Sequence, residues 1–287
     1  MVQLLHTDIR TKEVLDWQGL HVFHGQISSC SQKLRIFLNL KGIEWVSHPI
    51  DAAKKENISS YYLGINPRGL VPAIVHNGSV HIESNDIIQY LEREFPAPPL
   101  IPPAYADELA SLLRHEDDLH LDLRTLSFRF LFAPKSPPKS AADLQRYATA
   151  GSGTVRGEKD AHIDREIGFY ARFAEEGITD DRARQSAARF RTAFDALDQT
   201  LATSPYLKGD SLTVLDIAWA VYVNRLSLCG YPFARLHPNV AAWSAPLIQR
   251  AEFAREFAMP ATALESLAAQ QPAWAEAGKS FEAVCRL

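Results

Sequence analysis

Cysteine is scarce in this chain: Cys30, Cys229 and Cys285 are the only three among 287 residues. An odd and sparse set argues against a secreted disulfide scaffold, and no C-x-x-C pair exists for a dithiol cycle. Nor is there an apolar run near the ~20 residues that a bilayer crossing needs, so no membrane partner is expected. The first twenty residues carry Asp8, Arg10, Lys12, Glu13 and Asp16, which interrupt any signal-peptide core. An excess of one charge is also missing. Thirty Lys+Arg against 34 Asp+Glu leave −4, so no sequence-wide basic field points to nucleic acid or an anionic membrane. No repeat recurs at a period of 20 to 50 residues. These absences leave a globular protein with an expected cytoplasmic location.

What is present suits two domains. The length divided by ~150 residues gives about two, and 46% hydrophobic with 22% charged residues is ordinary for packed domains. Residues 1–18 form a polar arm without a period. Leu20–His24 reads as a short strand, followed by Gly25 and a turn. Cys30, Leu34, Phe37 and Leu38 then recur at helical spacing up to Lys41-Gly42, a basic residue and a glycine that end a helix. A strand is expected over residues 44–50, a short helix over 52–63, and a turn at Asn66-Pro67-Arg68-Gly69. Residues 71–75 and 79–82 flank Asn77-Gly78, the favoured two-residue hairpin turn. A helix over 84–95 closes this β-α-β-α-β-β-α series. The proline-rich stretch 96–103 reads as a linker. Beyond it no strand is expected: helices are predicted over 106–133, 159–176 and 180–202, with loops and one short helix over 134–157. Val214–Val223 is apolar all round, as in a fully buried helix.

Three segments carry candidate chemistry. Val71-Pro72 opens a strand with a residue that cannot donate to the ladder, which requires an edge or a special role. Glu83-Ser84 precedes a helix, where Ser84 would be a good N-cap and the helix end would attract a carboxylate. Ser28-Ser29-Cys30-Ser31 opens the first helix, where N–H groups and the macrodipole favour an anion. By residue type alone these also fit a proline at a strand start and two ordinary caps.

Taken together, these motifs and the division into an α/β thioredoxin-like domain and an all-α domain resemble the cytosolic glutathione transferases. The resemblance spans nearly all of residues 19–258 and implies the following. The domains are an arm at 1–18, a glutathione-binding domain at 19–97, a helical substrate domain at 105–258, and a tail at 259–287. The Val71-Pro72 bond is cis, presenting the Val71 backbone to the cysteinyl part of glutathione. Leu70 stands near the glycyl end, where relatives often carry Gln. Glu83 and Ser84 hold the γ-glutamyl end. Ser28 is the catalytic hydroxyl, with Ser29 and Cys30 beside it. The Ser-Ser-Cys-Ser motif followed by Lys33 and Arg35 looks zeta-like, and the longer helical region looks like bacterial transferases that cleave aryl ethers. Phe23 and His24 occupy the place where tyrosine-type enzymes carry their catalytic residue.

The resemblance implies glutathione as co-substrate, no metal, a homodimer, and attack on a small hydrophobic or aromatic electrophile, with an aryl ether or halide as examples. A zeta-type isomerase and a non-catalytic glutathione-binding protein are the alternatives. Cys30, on the apolar stripe, is expected to face inward; a mixed disulfide at this thiol is the competing mechanism. Thr213-Val214-Leu215-Asp216 fits a capping box with Leu212 and Ile217 as its staple, a structural role for Asp216. His115 and His120 lie five apart and diverge on a helix, so a polar face is expected rather than a metal site. Phe128, Phe130, Phe132, Tyr170 and Phe173 are expected mainly in the core.

Overall fold

A computed structural model describes residues 2–134, 137–259 and 261–287. In chain order the main elements are β1 (Val2–Gln3), β2 (Leu20–His24), α1 (Ser29–Lys41), β3 (Val46–Pro49), α2 (Ser60–Leu63), β4 (Ala73–His76), β5 (Ser79–Ile82), α3 (Ser84–Glu94), α4 (Ala106–Asp117), α5 (His120–Ser127), α6 (Ala141–Thr149), β6 (Thr154–Val155), β7 (Glu158–Lys159), α7 (His162–Glu176), α8 (Asp180–Leu201), α9 (Val214–Cys229), α10 (Phe233–Leu236), α11 (Pro238–Gln249), α12 (Ala251–Phe257), α13 (Ala261–Glu276) and α14 (Phe281–Cys285). They divide into two compact units, one of Met1–Pro98 with Lys135–Gly177, the other of Pro99–Pro134 with Ile178–Leu287.

The first unit is thioredoxin-like. Its five-stranded sheet has the order β1-β5-β4-β2-β3; β2 and β3 are parallel, and the other pairs antiparallel. The Asn77-Gly78 turn, both residues at positive φ, joins β4 to β5 as its sequence required. Phe23, Ala73, Val75, Val80 and Ile82 form one buried cluster with Leu4, Ile9 and Val14 of the arm and Val155. The arm that had no sequence period therefore adds an edge strand and core side chains; two residues are too short a strand to show alternation. On α1, Leu34, Phe37 and Leu38 are fully buried, and the helix ends at Gly42 in the left-handed conformation, as the Lys-Gly signal predicted.

The segment 135–177 departs from expectation twice. It contains a small hairpin, β6–β7, where no strand was expected. It also packs with the thioredoxin-like unit, although sequence had placed it in the helical domain. Tyr147 and Ile163 bury against Ile58 and Leu63, and the Tyr147 hydroxyl donates to the Arg68 carbonyl. From the arm, the buried Asp8 carboxylate accepts from Thr154 Oγ1 (2.7 Å), Arg156 N (2.8 Å), Gly157 N (3.0 Å) and Leu5 N (2.9 Å). Burial pushes the Asp8 pKa upward, but these four donors outweigh it and hold the carboxyl below its usual range.

A lowered folded pKa means that this stabilisation is complete above the unfolded value near ~3.9 and fades as pH falls through the folded one. Asp8→Asn is therefore expected to cost about 1–2 kcal/mol at pH 7 and little near pH 2. Denaturant titrations at the two pH values check this; an equal loss at both would show that the ionised carboxylate is not what holds the hairpin.

The second unit is helical. The helix expected over 106–133 breaks into α4, α5 and a wide π-type turn at Phe128–Phe132. The α9 helix is buried almost throughout, as its apolar sequence predicted, and Thr213 and Asp216 form the capping box at its start. The tail also joins this unit: Phe281, Val284 and Cys285 are buried, and the Phe281 ring lies 4.7 Å from Phe130 and 5.6 Å from Tyr231. No helix among the described residues is long and apolar enough to cross a membrane.

Candidate functional site

The loop between β2 and α1 carries Ser28, which is the N-cap of α1. Its Oγ accepts from Ser31 N at 3.3 Å. Its own proton finds only the Val71 carbonyl, at 3.5 Å, the outer limit of a hydrogen bond. The hydroxyl is thus anchored as an acceptor while its donor capacity is almost unused. Gly25 makes this proximity possible: a Cβ there would sit 3.2 Å from Val71 Cγ2 and 3.3 Å from Ser28 Cβ.

Arg35 pins the same loop, a role the sequence did not disclose. Buried at 3% exposure, its Nη1 donates to the Gly25 carbonyl (3.0 Å) and to His24 Nδ1 (3.1 Å), and its Nη2 to the Gln26 carbonyl (3.0 Å). A guanidinium can only donate, so His24 Nδ1 is an acceptor and its Nε2 carries the proton given to Ser47 Oγ at 2.8 Å. Ser29 is buried, whereas Cys30 is half-buried. That corrects the expectation of an inward-facing thiol: Cys30 sits in the first turn, where the stripe of Leu34, Phe37 and Leu38 has not yet entered the core.

The Val71-Pro72 bond is cis, as the resemblance implied. The turn before it is held from within: Arg68 N donates to Asn66 Oδ1 (3.0 Å), while Tyr62 OH and Asn66 Nδ2 donate to the Leu70 carbonyl (2.5 and 2.7 Å). Leu70 is half-buried. Gly69 lies at φ +59, where a Cβ would stand 2.9 Å from the Asn57 carbonyl and 3.0 Å from the Tyr147 ring, so both conformation and space require glycine.

Ala73 pairs with Ile82 across β4 and β5, so one further step of this register brings Pro72 opposite Glu83. Glu83, not Ser84, is the N-cap of α3; Ser84 is its first helical residue, which corrects the capping role expected for it. Glu83 adopts φ +68, uncommon for a side chain this large. The Ser84 hydroxyl makes no hydrogen bond among the described residues. Buried Lys33 donates to Asn85 Oδ1 at 2.7 Å and so ties α1 to the first turn of α3. Sheet register and this bond gather the three motifs on one edge of the thioredoxin-like unit.

An ion network unsuspected from sequence stands at the Glu83 end. Arg68 Nη1 lies 2.7 Å from Glu83 Oε1, while its Nε and Nη2 grip Asp160 Oδ2 and Oδ1 at 2.7 and 3.0 Å. Burial would lower the Arg68 pKa, but its bonds to Asp160 and Glu83 prevail and raise it. His162, close by, is held below its ordinary value by burial and by Arg68 and Arg165, against the pull of Glu83 and Glu166. Asp160 lies 92 residues from Arg68, so no local pattern could have linked them.

The other singled-out residues lie elsewhere. In the helical unit Asp216 is fully buried as a structural acceptor. His120 Nδ1 is 3.5 Å from Tyr222 OH, and no group of three or more His, Cys, Asp or Glu among the described residues is placed to hold a metal ion. Phe130, Tyr170 and Phe173 are buried; Phe128 and Phe132 are half-buried. Arg129 pairs with Asp180 at 2.6 Å. Burial pushes the thiols of Cys229 and Cys285 up to about 12 each, so neither supplies a thiolate at neutral pH.

The model of the glutathione S-transferase N-terminal domain matches residues 27–94, and that of the C-terminal domain residues 161–245, together more than half of the chain. A zeta-class glutathione S-transferase of Euphorbia esula is 31% identical over 143 residues, 48% of this chain and 63% of that protein. The maleylacetoacetate isomerase of Pseudomonas aeruginosa is 40% identical over 77 residues, 26% of this chain and 36% of that one. The chain thus spans less than two thirds of the curated relatives it matches. The crystal structure of the beta-etherase LigF from Sphingobium sp. strain SYK-6 superposes with a TM-score of 0.69 at 23% identity, covering 84% of this chain and 99% of that one, a likeness of fold. With both domain models matched in order and the thioredoxin-like and helical units in place, the chain belongs to the glutathione S-transferase family.

Proposed function

We propose that this protein is a glutathione transferase in which Ser28 donates a hydrogen bond to the thiolate of glutathione. The observation that carries the reading is the Ser28 hydroxyl, fixed by the Ser31 N–H and left with its proton facing only a carbonyl 3.5 Å away. A free thiol with a pKa of ~8.5 is a few per cent ionised at neutral pH. Lowering it by ~2 units stabilises the thiolate by ~2.7 kcal/mol, a task suited to a charge-assisted hydrogen bond and the N-terminus of α1.

The Val71 backbone would pair with the cysteinyl residue as an added strand. Glu83 and Ser84 would take the γ-glutamyl amine and carboxylate, for which their unused hydrogen-bonding capacity is suited. Ser29, Cys30, Leu70 and Pro72 would complete the surroundings of the peptide. The thiolate then attacks an electrophilic carbon; a C–S bond forms, and the leaving group departs with its electron pair. An activated aryl halide or aryl ether fits, because halide or phenolate leaves readily. The same reading carries a homodimer and a cytoplasmic location.

The relative named as an isomerase favours a second reading, in which the thiolate adds to a conjugated double bond, allows rotation and leaves again. Calorimetry with reduced glutathione, followed by turnover of 1-chloro-2,4-dinitrobenzene and of a cis-enone diacid, separates the readings. Conjugation of the halide is expected. Isomerisation alone would select the second reading, and binding without any turnover would leave a binding protein.

A further inference from the structure

We propose that Asp160, carried by the segment 135–177, sets the charge of the glutamyl subsite by neutralising Arg68, so that Glu83 remains an effective acceptor for the α-ammonium of a γ-glutamyl peptide. This inference rests on the glutathione reading and deepens it.

Arg68 presents a difficulty for that reading. A guanidinium 2.7 Å from Glu83 occupies one carboxylate oxygen and would by itself cancel the charge that must attract the ligand's ammonium. Asp160 removes the difficulty. It takes Arg68 in a two-bond fork through Nε and Nη2, while Nη1 makes the one bond to Glu83. Two carboxylates against one guanidinium leave one net negative charge at a half-buried position. Glu83 Oε2 accepts no hydrogen bond among the described residues, so it is open to an incoming donor. Burial, with Arg68, holds His162 below its ordinary value, which disfavours an opposing charge there.

The arrangement is braced. The Asp160 N–H donates to the Gly153 carbonyl at 3.2 Å, the Tyr147 hydroxyl holds the Arg68 carbonyl, and Asp8 holds the hairpin between them. The segment carrying the hairpin β6–β7 thereby places an acid at the proposed glutamyl subsite within a single protomer. Asp160 is a positioning residue: it touches Arg68, not the peptide.

The test is calorimetry of the full chain with reduced glutathione and with its deamino analogue, glutaryl-cysteinyl-glycine. Wild type is expected to prefer glutathione at least tenfold. Asp160→Asn should weaken glutathione about tenfold while leaving the analogue unchanged, so the preference collapses, with kcat at saturating glutathione preserved. Removing both charges in Arg68→Gln/Asp160→Asn restores the net negative charge and should restore the preference. Arg68→Gln alone should widen it, and this variant keeps the test available should Asp160→Asn fail to fold. An Asp160→Asn protein with the wild-type preference, or one weakened equally toward both ligands, overturns the proposal. Wild type binding neither peptide instead overturns the glutathione reading itself, a result distinct from any behaviour of the variants.

Discussion

Ser28→Ala is expected to lower kcat/KM for an aryl halide about 30- to 100-fold at pH 6.5, with glutathione affinity changed only a few-fold. The variant removes a hydrogen bond made to the thiolate and not to the thiol, so the loss falls on ionisation. If the bound thiol moves from ~6.5 back toward ~8.5, the thiolate fraction at pH 6.5 drops by nearly two orders of magnitude. The sign of the pH dependence follows. Below both values the deficit is largest; above about pH 9 both forms are ionised and the deficit disappears. The pH profile of kcat/KM should therefore shift upward in the variant. An unshifted profile would dismiss Ser28 as the donor while leaving the family membership intact. Cys30→Ala provides the control: Cys30 is half-buried in the first turn of α1, whereas burial pushes up the thiols of Cys229 and Cys285. Should Cys30→Ala abolish disulfide reduction and Ser28→Ala leave it unchanged, the mixed-disulfide mechanism is the correct one.

Asp216→Ala is expected to destabilise the helical unit by about 3–5 kcal/mol, a large part of the 5–15 kcal/mol typical of a folded domain. The fully buried carboxylate accepts from Leu207 N (2.9 Å), Thr213 N (2.9 Å), Thr213 Oγ1 (3.0 Å) and Trp243 Nε1 (3.2 Å). Burial raises its pKa, with these donors pulling the other way. Truncation leaves two backbone N–H groups and an indole N–H without an acceptor in a dry site, each worth about 1–3 kcal/mol. Asn is expected to do little better than Ala. Each carboxylate oxygen faces two donors, so an amide NH2 in either orientation meets donors. Denaturant unfolding measures this directly. A loss under 1 kcal/mol for Asp216→Asn would show that neutral acceptors suffice and that the charge is incidental.

The fold was legible wherever local physics acts over a few residues. The Asn77-Gly78 hairpin, the Lys41-Gly42 stop, the Thr213–Asp216 box and the apolar α9 each depend on neighbours within about one turn, and the structure bears them out. Legibility failed where elements are short or partners distant. The arm strand β1 and the hairpin β6–β7 have two residues per strand, too few for a period. The break between α4 and α5 interrupts a continuous helical pattern without proline or glycine at the break. At the candidate site, the serine, the Val-Pro pair and the Glu-Ser pair could be named from sequence. Glu83 as the true cap of α3, Arg35 as the anchor of the Ser28 loop and the half-exposed Cys30 could not.

Sequence alone determined the β-α-β-α-β-β-α order from Leu20 to Glu94 and the two-part architecture, because caps, turns and amphipathic periods are short-range properties, and the family resemblance added Ser28, Val71, Pro72, Glu83 and Ser84 as candidates. Only the tertiary structure decided that residues 135–177 belong to the thioredoxin-like unit and that Asp160 meets Arg68. Contacts across some ninety residues arise when a hairpin and the helices α6 and α7 bury Val155, Tyr147 and Ile163 against the sheet and against Ile58 and Leu63. Which charged groups then face each other follows from that packing, and no window along the chain contains both of them.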